Sequence, residues 1–219
     1  MKELVILDLD NVIIKGQSQK LLLNYLFKKG LIGSFYYLKI TLWFVLYKIG
    51  LVKSPVKVME YAFGFLKDKN MEEIDKIADD FFGNVLKNFI YKKMVEIIKN
   101  HKDNNRELLL VSNAIDIIVK KVAQFLNIEN YISTQLEVIG GKYTGRIIGD
   151  IVYGKHKVDY IKDFVKKNNL TLENSWAYGD HISDMEFLEI STHPNAINPD
   201  KLLLIEAQKR NWPILNFNL

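Results

Sequence analysis

Glu3-Leu4-Val5-Ile6-Leu7-Asp8-Leu9-Asp10 begins as an apolar run and ends in two carboxylates. A short run that is apolar at consecutive positions is the pattern of a central parallel strand covered on both faces. Residues 108–111 repeat it and end in Ser112-Asn113, and residues 176–178 repeat it again and end in Gly179-Asp180. Ala196-Ile197 and Ile214-Leu215 are weaker versions. Helical periodicity fills the intervals, over residues 115–126, 157–168, 182–190 and 199–211. Strands alternating with helices predict an α/β fold with a Rossmann-like, doubly wound sheet.

Residues 18–101 interrupt that alternation. They read as consecutive helices over 19–29, 34–49, 55–65 and 71–100, punctuated by Gly30, Gly33, Gly50 and Ser54-Pro55. The block is expected to be an all-helical cap, 18–101, inserted into a core formed by 1–17 and 102–219. A second interruption, residues 133–146, carries Gly140-Gly141 between two alternating runs, which is a hairpin signal.

The stretch 31–52 is long enough to cross a bilayer, but Lys39 and Lys48 lie inside it. Each costs roughly 2.5–3.5 kcal/mol near the membrane centre. Ser34, Thr41 and Lys48 recur at a spacing of seven. Phe35, Leu38, Leu42, Val45, Leu46 and Ile49 are read as the opposite side, which predicts a buried cap helix. An apolar pocket wall or a peripheral contact with lipid stays open beside that reading.

At 219 residues the chain can bury a sizeable core. Its net charge of +4 comes from basic and acidic residues interspersed along the chain, too mixed to argue for nucleic acid. Small anionic molecules fit that balance. There is no cysteine, which excludes disulfides and thiolate metal sites. Met1-Lys2-Glu3 followed by four apolar residues does not read as a signal peptide, so a cytoplasmic location is expected. The four histidines show no metal-ligand spacing.

Chemistry is expected where the strands end. Asp8 and Asp10, two residues apart, share a side of extended backbone. Asp8 can attack phosphorus, and Asp10 can protonate the leaving alcohol and then deprotonate water. Ser112, with the Asn113 backbone N–H at a helix start, can bind phosphate oxygens. Lys157 can neutralise Asp8 and phosphate together. Asp180 can complete a Mg²⁺ site with the Asp8 carboxylate and the Asp10 carbonyl. Asp184, one turn further on, can orient Lys157 or the metal's waters. Each has an ordinary structural alternative: turn carboxylates, an N-cap serine, a solvated lysine.

Their order is more specific than any one of them. Asp8-Leu9-Asp10-Asn11-Val12, Leu110-Val111-Ser112-Asn113-Ala114, Gly154-Lys155-His156-Lys157-Val158 and Tyr178-Gly179-Asp180-His181-Ile182-Ser183-Asp184 resemble the four motifs of the haloacid dehalogenase (HAD) superfamily. The resemblance is closest to its phosphoserine-phosphatase-like branch, subfamily IB. It implies a phosphatase of small-molecule phosphate esters with an aspartate nucleophile, an aspartate acid/base, a Ser and Lys phosphate clamp, and Mg²⁺. Three positions depart from the pattern. Asn11 replaces a frequent Gly or Ser, a change the branch tolerates. Val12 stands where the first motif usually has Thr. Gln17 occupies the place of a Glu that holds the substrate's ammonium in phosphoserine phosphatases, which disfavours phosphoserine. The aromatic cap (Phe35, Tyr36, Tyr37, Trp43, Phe44) suggests a substrate with a hydrophobic part, such as a lipid phosphate. A phosphotransferase and a non-catalytic binding protein stay open as alternatives, as does the oligomeric state.

Overall fold

A computed structural model describes residues 2–48, 51 and 54–218. Strand β1 (Glu3–Leu7) takes the middle of a seven-stranded sheet, because Leu4, Val5, Ile6 and Leu7 are all fully buried and only an interior strand covers both sides. Its alternating side chains feed two cores. Val5 and Leu7 enter one, Leu4 and Ile6 the other. Five helices follow: α1 (Ser18–Lys28), α2 (Ser34–Lys48), α3 (Pro55–Phe63), α4 (Met71–Asn84) and α5 (Lys92–Asp103). The rest is β2 (Glu107–Ile115), α6 (Asp116–Phe125), β3 (Asn130–Ile139), β4 (Lys142–Ile148), α7 (Lys155–Lys167), β5 (Thr171–Gly179), α8 (Met185–Glu189), β6 (His193–Ile197), α9 (Lys201–Lys209) and β7 (Ile214–Leu215). The sheet order is β4-β3-β2-β1-β5-β6-β7. All pairs are parallel except the β3–β4 hairpin. The chain therefore has the expected α/β architecture, and β1, β2 and β5 bring their carboxyl ends together.

The expected single helix over 71–100 is broken. Helix α4 stops at Asn84, and the chain returns to the core at Phe89–Tyr91, where Lys15 N–H donates to Phe89 O (2.8 Å) and Tyr91 N–H to Ile13 O (2.9 Å). Gly83-Asn84 stands at the end of α4, and pairing with the segment after β1 completes the break. Helix α5 then packs on β2. The expected hairpin also reaches further than its turn signal implies. Met71 N–H donates to Gly141 O (3.0 Å), Tyr143 N–H to Lys69 O (3.0 Å) and Asp68 N–H to Tyr143 O (2.9 Å), so the hairpin joins the helical block.

Helix α2 corrects the buried-helix expectation. Ile40 is fully buried, and Tyr36 donates from its hydroxyl to Tyr61 O (2.6 Å) while Trp43 stacks on the Tyr61 ring. Phe35, Leu38, Leu42 and Val45 face outward. Ile49 and Gly50, read as the end of this helix and its break, lie outside the described residues. Among the described residues no helix is long and apolar enough to cross a membrane.

His101 of α5 is buried between Tyr178 and Arg106. Arg106 can only donate, so its contact with His101 Nδ1 (3.2 Å) makes that nitrogen the acceptor. Nε2 then carries the hydrogen toward the Tyr178 hydroxyl oxygen (2.7 Å). Burial first, and Arg106 second, push His101 down from 6.5 to about 4. Between those two pH values the unfolded chain takes up a proton that the folded one refuses, so stability rises with pH across this window. Acidification from pH 6.5 toward 4 is expected to remove about 2 kcal/mol through this group. Urea unfolding across that range, compared with His101→Gln, measures it: the variant should show the shallower acid dependence, and equal slopes would refute the assignment.

Candidate active site

Asp8 follows β1 directly, and its N–H donates to Tyr178 O on β5 (3.0 Å), which holds the residue at the sheet end. Its carboxylate is buried. Lys157, in the first turn of α7, is also buried and places Nζ 2.5 Å from Asp8 Oδ1 and 2.9 Å from Asp184 Oδ1. Lys155, two residues earlier, is exposed. Asp184 ends the short 3-10 turn Ile182–Asp184, and its Oδ2 accepts the N–H groups of Asp180 (3.2 Å) and His181 (3.4 Å). A Cβ on Gly179 would stand 2.9 Å from Asp184 Cβ, so this close approach requires glycine.

Asp180 sits beside this pair. One carboxylate oxygen from each of Asp8, Asp180 and Asp184 lies within 4.8 Å of the others. The Asp10 carboxylate is directed elsewhere: its Oδ1 accepts the N–H of Ser18 at the first residue of α1 (2.9 Å). Ser112 is buried near the end of β2, where its Oγ accepts the Ala114 N–H (3.0 Å). Asn113 follows, with its carbonyl accepting from the Thr134 hydroxyl (2.9 Å). Helix α6 begins only at Asp116, so the expected placement of Asn113 at a helix start is corrected. A register shift against β3 between Ser112 and Ile115 carries the strand assignment past this point.

Asn11 escaped the sequence reading, where it counted only as a tolerated replacement. It adopts a left-handed backbone (φ 57°), donates from Nδ2 to Asp180 Oδ2 (2.9 Å) and accepts the Gly16 N–H at Oδ1 (2.9 Å). Its own carbonyl accepts from Asn198 Nδ2 (2.8 Å). The signal was available in principle, since asparagine is among the few residues that enter the left-handed region readily.

These groups line a cavity of 330 Å³. Its carboxylates are Asp8, Asp10, Asp180 and Asp184; the helical block contributes Gln19, Phe44, Val58 and Met59, with Gln17 just before α1. Burial pushes the Asp8 carboxyl up to about 7 despite Lys157, with Asp184 adding to the rise. Burial, then Asp8 and Asp184, push Asp180 up to about 8. Burial also raises Asp10, against the Ser18 hydrogen bond. On Lys157 burial acts downward, but Asp184 and Asp8 outweigh it and hold the ammonium above its usual range. Three clustered carboxylates thus face one ammonium. Oxygen ligands with excess negative charge suit a hard divalent cation such as Mg²⁺.

The family model described as haloacid dehalogenase-like hydrolase matches residues 5–189. The chain is 28% identical over 229 residues to a histidinol-phosphatase of Neisseria meningitidis serogroup C (strain 8013), covering 99% of this chain and 100% of that one. It spans about half the length of further relatives from Mycobacterium tuberculosis. Among solved structures, a protein of unknown function from Bordetella pertussis Tohama I superposes with a TM-score of 0.91 at 23% identity, over 98% of both chains. A phosphoserine phosphatase, solved as a phospho-aspartyl intermediate analogue, superposes with a TM-score of 0.68 at 19% identity, over 98% of this chain and 93% of that one. The chain belongs to the haloacid dehalogenase-like hydrolase family, with the fold of its phosphoserine-phosphatase-like branch.

Proposed function

We propose that this HAD-family phosphatase hydrolyses an organic phosphate monoester through an aspartyl-phosphate on Asp8. The observation that carries the reading is the buried Lys157, bonded to both Asp8 and Asp184 at the mouth of the parallel sheet. Lys157 occupies Asp8 Oδ1, which leaves Oδ2 to attack phosphorus. As that bond forms, the bond to the ester oxygen breaks, and Asp10 delivers a proton to the departing alkoxide. Burial raises Asp10, as suits a group that must hold a proton near neutral pH. In the second half Asp10 removes a proton from water, whose oxygen attacks phosphorus and releases Asp8. Ser112 and Asn113 bind the non-bridging oxygens. The carboxylates of Asp8 and Asp180, with the Asp10 carbonyl, would hold Mg²⁺, and Asp184 supports them. When bound, the cation supplies the positive charge that an anionic nucleophile and an anionic substrate both lack.

The helices α1–α4 act as the cap in this proposal. Helix α5 goes with the core instead, because it packs on β2 and hydrogen bonds to β5 through His101. The cap side of the cavity presents Phe44, Val58 and Met59 with the amides of Gln17 and Gln19. Among the described residues no carboxylate on that side lines the cavity to receive an ammonium. We therefore assign the substrate an apolar organic group in place of the amino acid part of phosphoserine. Histidinol phosphate is the second reading, favoured by the full-length similarity to a protein of that name.

Three outcomes test this. Asp8→Asn should lower turnover of an aryl phosphate by at least about a thousandfold without loss of fold by circular dichroism; normal turnover would rule out the nucleophile. An alkyl or aryl phosphate should exceed phosphoserine in kcat/KM by about tenfold or more, and Phe44→Ser should narrow that ratio. Preference for phosphoserine or histidinol phosphate would overturn the substrate assignment. Finally, Asp8 and Asp180 retain protons near neutral pH in the metal-free protein, at about 7 and about 8. Mg²⁺ should expel them, with proton release vanishing as pH rises past these values. Titration calorimetry in buffers of different ionisation enthalpy measures the release; its absence near neutrality would refute the assignment of these ligands.

A further inference from the structure

Helix α2 turns an apolar stripe to the outside. Phe35, Leu38, Leu42 and Val45 are 72, 65, 53 and 50% exposed, whereas Ile40 on the opposite side is fully buried. Spacings of three, four and three residues gather the four into one narrow arc of the helix surface. A contiguous apolar surface of this kind marks a place where something else docks.

The charge around it selects the partner. Residues 11–59 contain eight lysines and no aspartate or glutamate. Taking those eight from the chain's 30 basic residues leaves 22, set against all 26 of its carboxylates. The net positive charge of the protein is thus concentrated in the segment that carries the stripe. Lys39 lies at the stripe's edge with its ammonium 4.5 Å from the centre of the Phe35 ring. Lys28 at the end of α1 and Lys57 in the first turn of α3 are exposed as well, while Lys29 pairs with Asp80 of α4.

We propose that α2 docks the enzyme on the surface of an anionic lipid bilayer. Its apolar stripe enters the boundary between headgroups and acyl chains, and the lysines meet headgroup phosphates. Docking leaves the helix in the membrane plane, in keeping with the absence of a crossing helix among the described residues. A second copy of the chain is the poorer occupant, because a two-fold contact would set one lysine-rich segment against another. Phe44, on the inner side of the same helix, lines the active-site cavity, so docking sets that cavity wall about one helix diameter from the lipid surface. The inference goes beyond the catalytic reading and does not depend on it.

Flotation of the full chain with vesicles tests it. Vesicles containing phosphatidylglycerol should carry at least about tenfold more protein than vesicles of phosphatidylcholine alone, and high salt should erase the difference. The double variant Leu38→Ser, Leu42→Ser should lose that binding while keeping its thermal unfolding and its turnover of a soluble aryl phosphate. Equal binding to neutral vesicles, absence of binding to either, or undiminished binding by the variant would overturn the proposal. So would a dimer in solution that the double variant dissociates, since the stripe would then belong to a second copy.

Discussion

A carboxylate that must remain reactive is buried at the end of the most enclosed strand of the protein, and the rest of the site is arranged around that constraint. Asp8 is desolvated because β1 has a strand on each edge and apolar side chains on both faces. An ion in that position persists only when donors and cations surround it. Lys157 bridges Asp8 and Asp184, Asn11 donates to Asp180, and two backbone N–H groups donate to Asp184. The same contacts that make the burial tolerable fix the mutual orientation of the acidic groups. Removing Lys157 would therefore leave two buried carboxylates without their cation, a change in fold stability as well as in chemistry.

The helical block is tied to this centre along two seams. Its first residue, Ser18, donates its N–H to Asp10, and the chain comes back beside the same segment through the pairing of Ile13 and Lys15 with Tyr91 and Phe89. Entry and exit thus lie next to each other, close to Asp8. The hairpin of β3 and β4 forms the second seam with Lys69 and Met71. Helix α2 lies away from both seams: among the described residues its backbone makes no hydrogen bond to the sheet. The part of the block that carries Phe44 is consequently held by side-chain contacts and not by backbone pairing with the sheet.

How much of this was legible in the chain depended on whether the cause was local. The α/β alternation and the strand-end acids could be read because β1, β2 and β5 each hold a brief apolar run stopped by polar residues, and that pattern survives without tertiary context. Asp8, Ser112, Lys157, Asp180 and Asp184 all line one cavity as their motif order led one to expect. The break between α4 and α5 was read through: Gly83-Asn84 is a local stop signal, but the apolar pattern resumes beyond it, and what holds Phe89–Tyr91 out of a helix is pairing with residues seventy-odd positions earlier. Asn11 was missed for a related reason: its value lies in bonds to Gly16, Asp180 and Asn198, which no spacing rule connects.

The face of α2 was misread through geometry. At about 100° per residue, a spacing of seven nearly completes two turns, so Ser34, Thr41 and Lys48 do form a stripe. The same arithmetic puts Leu38, Leu42 and Val45 within about 100° of Thr41, beside the polar stripe and not across from it. The true inner row is Tyr36, Ile40 and Trp43, at spacings of four and three, and the Tyr36 hydroxyl finds its partner in the Tyr61 carbonyl. A helix with apolar side chains on nearly every side cannot bury all of them against one neighbour. Which side wins is decided by the partner surface. Here α3 offers the flat Tyr61 ring and, in its last turn, the Tyr61 carbonyl, so Tyr36 and Trp43 turn inward beside Ile40, and Phe35, Leu38, Leu42 and Val45 are left outside.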